Sequence, residues 1–283
     1  MDIDAFYPIH PILKEVIEYY YFQKTNSDDF NTEYYAFPNT VLALNIHKNI
    51  TCTISGQQVK VTGVRHENYL MILNGRYKLP LHVQQKGRID KVTIIFKPLG
   101  LNRFINVPFN EIAQNPTQIF TEWIDKSNNS LPFLNQFFSE QDNNKRILII
   151  ENYLLSLYQP FPENSFLSEI LSMLNDFSRE ISIEDIARSF SLSSRTLDRL
   201  FEKHLGISPV AFRKIARFRH SLKNKLFKSK FDTLTKIGYA SNFYAQSYFN
   251  KIYKHLTGQN PKAFFESIEK LADDKLIFKF IKR

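Results

Sequence analysis

Two short clusters of side chains near the C-terminus have the types and spacing to do chemistry, and that chemistry is hydrogen bonding. The first is Ser194, Arg195, Thr196, Asp198, Arg199 and Lys203; the second is Gln246, Ser247, Asn250, Lys251 and Lys254. In each, polar groups recur at three- and four-residue spacing, so they share one face of a helix. Gln and Asn can bond adenine edges in bidentate fashion, and Arg or Lys can bond guanine. A helix with its side chains also matches the width of the DNA major groove.

Covalent catalysis has no comparable foothold. No G-x-S-x-G frames a serine, and neither G-x-G-x-x-G nor a Walker-type loop occurs. His47, His66 and His82 fall in or near strand-like runs, without the His-x-His pair and following Glu of a cupin-type metal site. The single Cys52 excludes an internal disulfide and a multi-cysteine zinc site. No catalytic residue, metal site or cofactor is therefore expected, and the chain is not expected to be an enzyme.

The elements that must position the two clusters say nearly the same thing twice. Ile183–Pro209 and Leu234–Pro261 echo one another: Gly206 and Gly258, Phe201 and Tyr253, and Pro209 and Pro261 are each 52 residues apart. A long period repeated only twice is a duplicated supersecondary unit. In the first copy Ser182 is an N-cap followed by acids, which suit the positive end of a helix dipole. Ile183, Ile186, Ala187 and Phe190 form its inward stripe. Ser191-Leu192-Ser193 is the turn, and Ser193 caps a second helix over Ser194–Leu205. On that helix Leu197, Leu200 and Phe201 are buried, and Gly206 ends it as a positive-φ C-cap. In the second copy Gly238 takes the small crossing position, and Asn242 takes a left-handed turn. Phe243 points inward, and Ala245–Leu256 is the second outward-reading helix, burying Phe249, Ile252 and Tyr253. Pro209–Lys230 reads as one long basic helix holding the units apart. With both reading helices on one face, they enter major-groove segments about one turn, ~34 Å, apart.

Upstream, the pattern changes to short β-type runs. Ile12–Phe22 reads as a short helix running into a strand. Val41–Ile46, Thr51–Ile54, Val59–Thr62, Tyr69–Leu73, Leu79–Val83 and Val92–Phe96 come next as strands, with turn residues between them. Asn74-Gly75 matches a type I′ hairpin turn. Together these predict a small antiparallel barrel or sandwich, which can enclose one ligand. Helical spacing trails it, ending in Lys145–Leu157, whose apolar residues need two surfaces. A partner copy, giving a homodimer, and an ordinary intrachain helix pair both satisfy that need.

Charge divides the chain the same way. Residues 1–165 hold 15 Lys and Arg against 16 Asp and Glu, and residues 166–283 hold 22 against 12. The basic half alone is suited to a polyanion. The acidic start and the shortness of every apolar run point to no export signal, no membrane span and a cytoplasmic location.

The repeated region resembles the DNA-binding domain of AraC/XylS-type transcription regulators. The resemblance rests on Ile237-Gly238, Asn242-Phe243, Gln246-Ser247-Tyr248-Phe249, Tyr253-Lys254, Gly258 and Pro261. It extends through Ile186-Ala187, Ser193, Leu197, Arg199, Phe201, Gly206 and Pro209 in the first copy, with Arg217–Ser221 similar to the linker-helix pattern. Departures are Gly238 for Ala, Asn242 for Gly and Tyr253 for Phe. The resemblance implies a bacterial regulator binding double-stranded promoter DNA, with RNA polymerase as a partner. It also implies an N-terminal domain for an effector or for dimerisation; the ligand stays open. The expected architecture is α+β with two domains. Residues 1–160 form a cupin-like β-barrel or sandwich with trailing helices, and 161–166 a linker. Residues 167–265 form an all-α domain with two helix-turn-helix units joined by a long helix, and 266–283 a tail, either an amphipathic helix or a frayed basic end. A fused enzyme and an adaptor contacting only RNA polymerase are the alternatives. A single cysteine and a β-rich first half weigh against the fused enzyme, and the adaptor predicts no DNA footprint.

Overall fold

The computed structural model describes residues 2–126, 130–227, 234–241, 243, 245–271 and 276–281. The chain opens with β1 (Asp2–Phe6), α1 (Pro11–Val16) and β2 (Ile17–Thr25). The expected helix running into a strand is therefore present, with a proline in the first turn of α1. The next strands are β3 (Asn31–Ala36), β4 (Leu42–Lys48), β5 (Ile50–Ser55), β6 (Gln58–Gly63), β7 (Tyr69–Asn74), β8 (Leu81–Lys86), β9 (Ile89–Phe96) and, later, β10 (Thr117–Ile119).

They form two open six-stranded sheets rather than a closed barrel. One has the order β1-β2-β9-β4-β7-β10. The other runs β3-β8-β6-β5 and is extended beyond β3 by two C-terminal strands. Pairing is antiparallel except between β6 and β8, which run parallel. Asn49, Gly56 and Gly87 adopt positive φ at 57°, 57° and 74°, where the sequence places turns. Asn74-Gly75 is not a type I′ turn, because neither residue has positive φ. Instead Gly75 N–H donates to Pro116 O at 2.8 Å and Asn74 pairs with Thr117, so β10 keeps this stretch extended. Local turn propensity has lost to a long-range ladder.

Period-two alternation gives the first sheet two different faces. Tyr20, Phe22, Leu42, Leu44, Ile46, Met71, Leu73, Val92, Ile94 and Phe96 form one core with the helices α2 (Phe109–Ile112), α3 (Glu122–Lys126), α4 (Ser130–Ser139) and α5 (Asn143–Leu157). α5 thus buries Ile147, Ile150, Tyr153 and Leu154 inside its own chain, and Tyr153 stacks on Phe133 at 4.0 Å. The facing sheet receives the other side chains, and there buried polar groups sit among apolar clusters built on Tyr21, Ile72, Val83 and Ile95. Gln23 Nε2 donates to Gln85 Oε1 at 2.7 Å, and Thr93 Oγ1 to Asn45 Oδ1 at 2.8 Å. Burial pushes the Lys91 ammonium down to about 7, and burial together with that ammonium holds His47 well below its ordinary value. Both are consistent with desolvation disfavouring a cation.

Beyond α5 the chain is helical: α6 (Asn164–Asn175), α7 (Ile183–Ser189), α8 (Ser194–Leu205), α9 (Pro209–Phe227), α10 (Leu234–Ala240), α11 (Gln246–Thr257) and α12 (Pro261–Ser267). These share a second core built on Leu167, Ile170, Ile186, Leu197, Phe201, Phe212, Phe218, Ile237, Phe249, Tyr253 and Phe264. The end of the long connecting helix expected to run to Lys230 lies outside the described residues, as does the Asn242 turn. Among the described residues beyond Ser267, the tail is strand instead of the expected amphipathic helix or frayed end. It forms β11 (Glu269–Leu271) and β12 (Leu276–Phe280), and β12 pairs antiparallel with β3. An apolar run this short fits a strand as readily as a helix, and an open sheet edge decides for the strand.

Candidate nucleic-acid interface

The two reading helices share their glycine stops but not their starts: serines cap the first unit, whereas α11 begins at Ala245 with no side-chain cap. Ser182 accepts from Asp185 N–H at 3.0 Å and caps α7; Ser193 accepts from Thr196 N–H at 3.1 Å and caps α8. Between them Ser191 sits at φ 55°, the position equivalent to Asn242 in the second copy, so the first turn makes its left-handed step on a serine. Gly206 and Gly258 end α8 and α11 at φ 64° and 75°, and both act as left-handed C-caps. The buried stripes are Ile186, Ala187, Leu197 and Phe201 in the first unit, and Ile237, Gly238, Phe249, Ile252 and Tyr253 in the second. Leu192 packs partly buried and Phe243 is buried, so both turn residues face the core.

With those faces turned in, the polar faces are turned out. Ser194, Arg195, Asp198, Arg199 and Lys203 are exposed on α8, with Thr196 half-buried. Gln246, Ser247, Asn250, Lys251 and Lys254 are all exposed on α11. Gln246 Nε2 reaches Asn250 Oδ1 at 3.4 Å, which aligns the two amides one turn apart on one face. Behind α11, burial first and the neighbouring Lys251 charge second hold the Lys214 ammonium below its ordinary value, and burial and then the Lys214 charge do the same to His255. Cations crowded in this way gain from a nearby anion.

The connecting helix α9 departs from a simple basic spacer. Its arginines turn inward: Arg213 Nη1 donates to Ile181 O at 2.5 Å, and the mostly buried Arg217 lies 3.7 Å from Glu180. Arg219 reaches the N-terminal half, donating through Nε to Pro38 O at 2.7 Å and through Nη2 to Phe37 O at 2.5 Å. In return, the buried Arg76 donates through Nε to Leu205 O at 3.1 Å, and Asn102 Nδ2 to His204 O at 2.9 Å. Both acceptors are last-turn carbonyls of α8, where a cation is favoured by the helix dipole. A Cβ at Gly206 would approach the Phe109 ring to 2.9 Å, so the C-cap doubles as a docking point. None of these contacts between halves was visible in the sequence. Arg219 read as one more charge on a basic helix, and nothing local marked Arg76, Asn102 or Phe109.

Gly238, the small residue at the crossing of α10 and α11, is not forced to be glycine. A Cβ there would meet Phe249 ring carbons at 3.7 and 3.8 Å, ordinary van der Waals contact. Gly238→Ala is therefore expected to stabilise the helical half by about 0.5–1 kcal/mol, the helix-interior difference between the two residues. Urea unfolding checks this; a loss of stability would mean that the helices cannot admit the methyl group.

A family model described as a helix-turn-helix domain matches residues 186–267. The HTH-type transcriptional activator RhaS of Enterobacter sp. (strain 638) is 30% identical over 97 residues, 34% of this chain and 34% of that protein. RhaS of Salmonella arizonae is 28% identical over 125 residues, 42% of this chain and 44% of that protein. The chain thus spans less than half the length of these curated relatives. The 1.65 Å structure of ToxT from Vibrio cholerae aligns over 87% of this chain and 98% of its own, at 12% identity and a TM-score of 0.45. With its paired glycine stops and matched stripes, the C-terminal region of this chain is a double helix-turn-helix domain of the AraC/XylS type.

Proposed function

We propose that the chain is a transcription regulator that reads two neighbouring major-groove segments of promoter DNA with α8 and α11. The observation that carries this is the pair of exposed polar faces, each set on a buried apolar stripe and bounded by a serine or alanine start and a glycine stop. Arg195, Arg199, Gln246, Asn250 and Lys251 are the base-reading residues, supported by Ser194, Thr196, Asp198 and Ser247. Lys203 and Lys254 meet phosphates. We take residues 161–166 as the boundary between the β-rich half and the DNA-reading half, and the cytoplasm as its location. RNA polymerase is the further partner in this reading.

Fluorescence anisotropy with duplexes enriched from a random pool tests the proposal. With about six phosphate contacts, affinity is expected to fall roughly 10³-fold between 50 and 200 mM salt. A salt-independent signal, or equal affinity for every duplex, would refute it.

Control by a small molecule is a second reading, favoured by one cavity. At the mouth of the two sheets lies a space of about 80 Å³ lined by Tyr19, Tyr21, Asn45, Asn74, Tyr77 and Arg219, among others. Its wall combines phenol rings, side-chain amides and a guanidinium lowered by burial, a set of convergent polar groups in an aromatic frame. A ligand-induced rise in thermal stability that is lost in Asn45→Leu checks this reading.

A further inference from the structure

The two helix-turn-helix units are tied to the N-terminal half at different places. The first is held through the end of α8, by Arg76, Asn102 and the Phe109 ring against Gly206. The second is held through the C-terminal segment of the chain. That segment leaves α12, forms β11, and in β12 lies along the edge of β3. Phe278 is opposite Ala36 and Phe280 opposite Tyr34, and Ile281 N–H donates to Glu33 O at 2.9 Å. Without β12, β3 would present an open edge; with it, the edge is completed by strand addition from the same chain.

The fastening is made by side chains as well as by the ladder. The Phe278 ring lies 4.5 Å from Tyr34 in its own sheet and packs with Tyr19, Tyr21 and Ile95 of the facing sheet. It thus closes the seam between the sheets and forms part of the wall of the cavity between them. The loop leaving β3 serves the same joint, because Phe37 meets Phe264 of α12 edge-on at 4.8 Å. One frame, the β3 edge and its loop, therefore grips the second unit, while Arg76 and Asn102 grip the first. Meanwhile α8 and α11 keep their polar faces exposed.

We propose that β12 is a strap that braces the second helix-turn-helix unit against the N-terminal sheet and so fixes its placement relative to the first. In this arrangement the linker helix and the sheet join the units in parallel. Releasing the strap leaves each unit able to bind its own half-site, but loosens the geometry with which both bind together. The cavity wall at Phe278 makes the strap the element through which an occupant of that space acts on DNA reading. The proposal rests on the reading of α8 and α11 as DNA-binding helices.

The test uses the full chain and three variants: Phe278→Ala, Phe278→Tyr, and a chain ending after Ser267. Hydrogen exchange is monitored across 31–36, and affinity is measured for a duplex with both half-sites and for one with a single half-site scrambled. Phe278→Ala and the shortened chain are expected to speed exchange in β3 about tenfold or more, as a locally released edge does. Exchange in α8 and α11 stays unchanged. Affinity for the two-site duplex falls at least about fivefold, as a loss of effective concentration does, and affinity for the single-site duplex holds. Phe278→Tyr keeps the ring and matches the unaltered chain. Faster exchange with both affinities unchanged would make the strap a structural trim and overturn the proposal, as would unchanged exchange. An unaltered chain that binds neither duplex fails the DNA-binding reading itself and is told apart from failure of the strap.

Discussion

Phe201→Ala is expected to destabilise the helical half by about 3–5 kcal/mol, a large share of what a domain of this size possesses. The ring is completely buried, packs edge-on to Phe212 at 6.2 Å, and belongs to the core shared by α6 through α12. Its backbone is fixed by the Ser193 cap on one side and the Gly206 stop on the other, so the helix cannot slide to fill the space. The cost combines the lost transfer of the ring with an unfilled cavity. Phe249→Ala is the matched change in the second unit. There the ring meets Phe243 at 5.0 Å and Tyr253 at 4.7 Å, across from Gly238. Because Gly238 already leaves room beside Phe249, that site collapses more readily, and its loss is expected at the lower end of the same range. Denaturant unfolding monitored by circular dichroism at the helical signal measures both. Losses under ~1 kcal/mol would show that neither ring anchors its unit.

What could be read in the sequence was what is decided locally. Ser182, Ser193, Gly206 and Gly258 announce helix ends because each cap is made within three or four residues of chain. The apolar stripes around Phe201 and Phe249 were legible because a 3.6-residue period needs no knowledge of the partner. The strands β4 to β9 were legible for the same reason, through alternation and the turns at Asn49, Gly56 and Gly87. What escaped is what depends on distant partners. Asn31–Ala36 is a polar stretch whose strand character comes from pairing with β8 on one side and β12 on the other. Leu276–Phe280 has no period that separates strand from helix, and only the free edge of β3 assigns it. Asn74-Gly75 has strong turn chemistry, yet β10 holds it straight. Among the candidate site residues, side-chain direction was legible and the joint was not. The inward turn of Arg213, Arg217 and Arg219 is set by carbonyls and a carboxylate on other elements, which no spacing within α9 reveals.

Replacing Arg195 and Arg199 together by alanine is expected to relax base preference in one half-site and to weaken specific binding by about 10²-fold or more. Each bidentate contact to a guanine edge contributes roughly 1–3 kcal/mol of discrimination. Both side chains are exposed on α8, and among the described residues neither is held in an ion pair, so no intramolecular bond must be broken before they meet a base. The amide pair on α11 should act on the other half-site alone. Gln246→Ala with Asn250→Ala removes two groups already aligned at 3.4 Å, and preference should relax where adenine is read. Lys203→Ala and Lys254→Ala should behave differently from either pair. They are expected to weaken binding to all sequences alike and to lower the salt slope by about one each, the signature of a lost phosphate contact. Affinity selection with sequencing for each variant separates the three outcomes. If both double variants relaxed the same positions, the two helices would not be reading separate half-sites. If neither changed the preferred sequence, specificity would lie in DNA shape, and the exposed faces of α8 and α11 would be positioning surfaces instead of base readers.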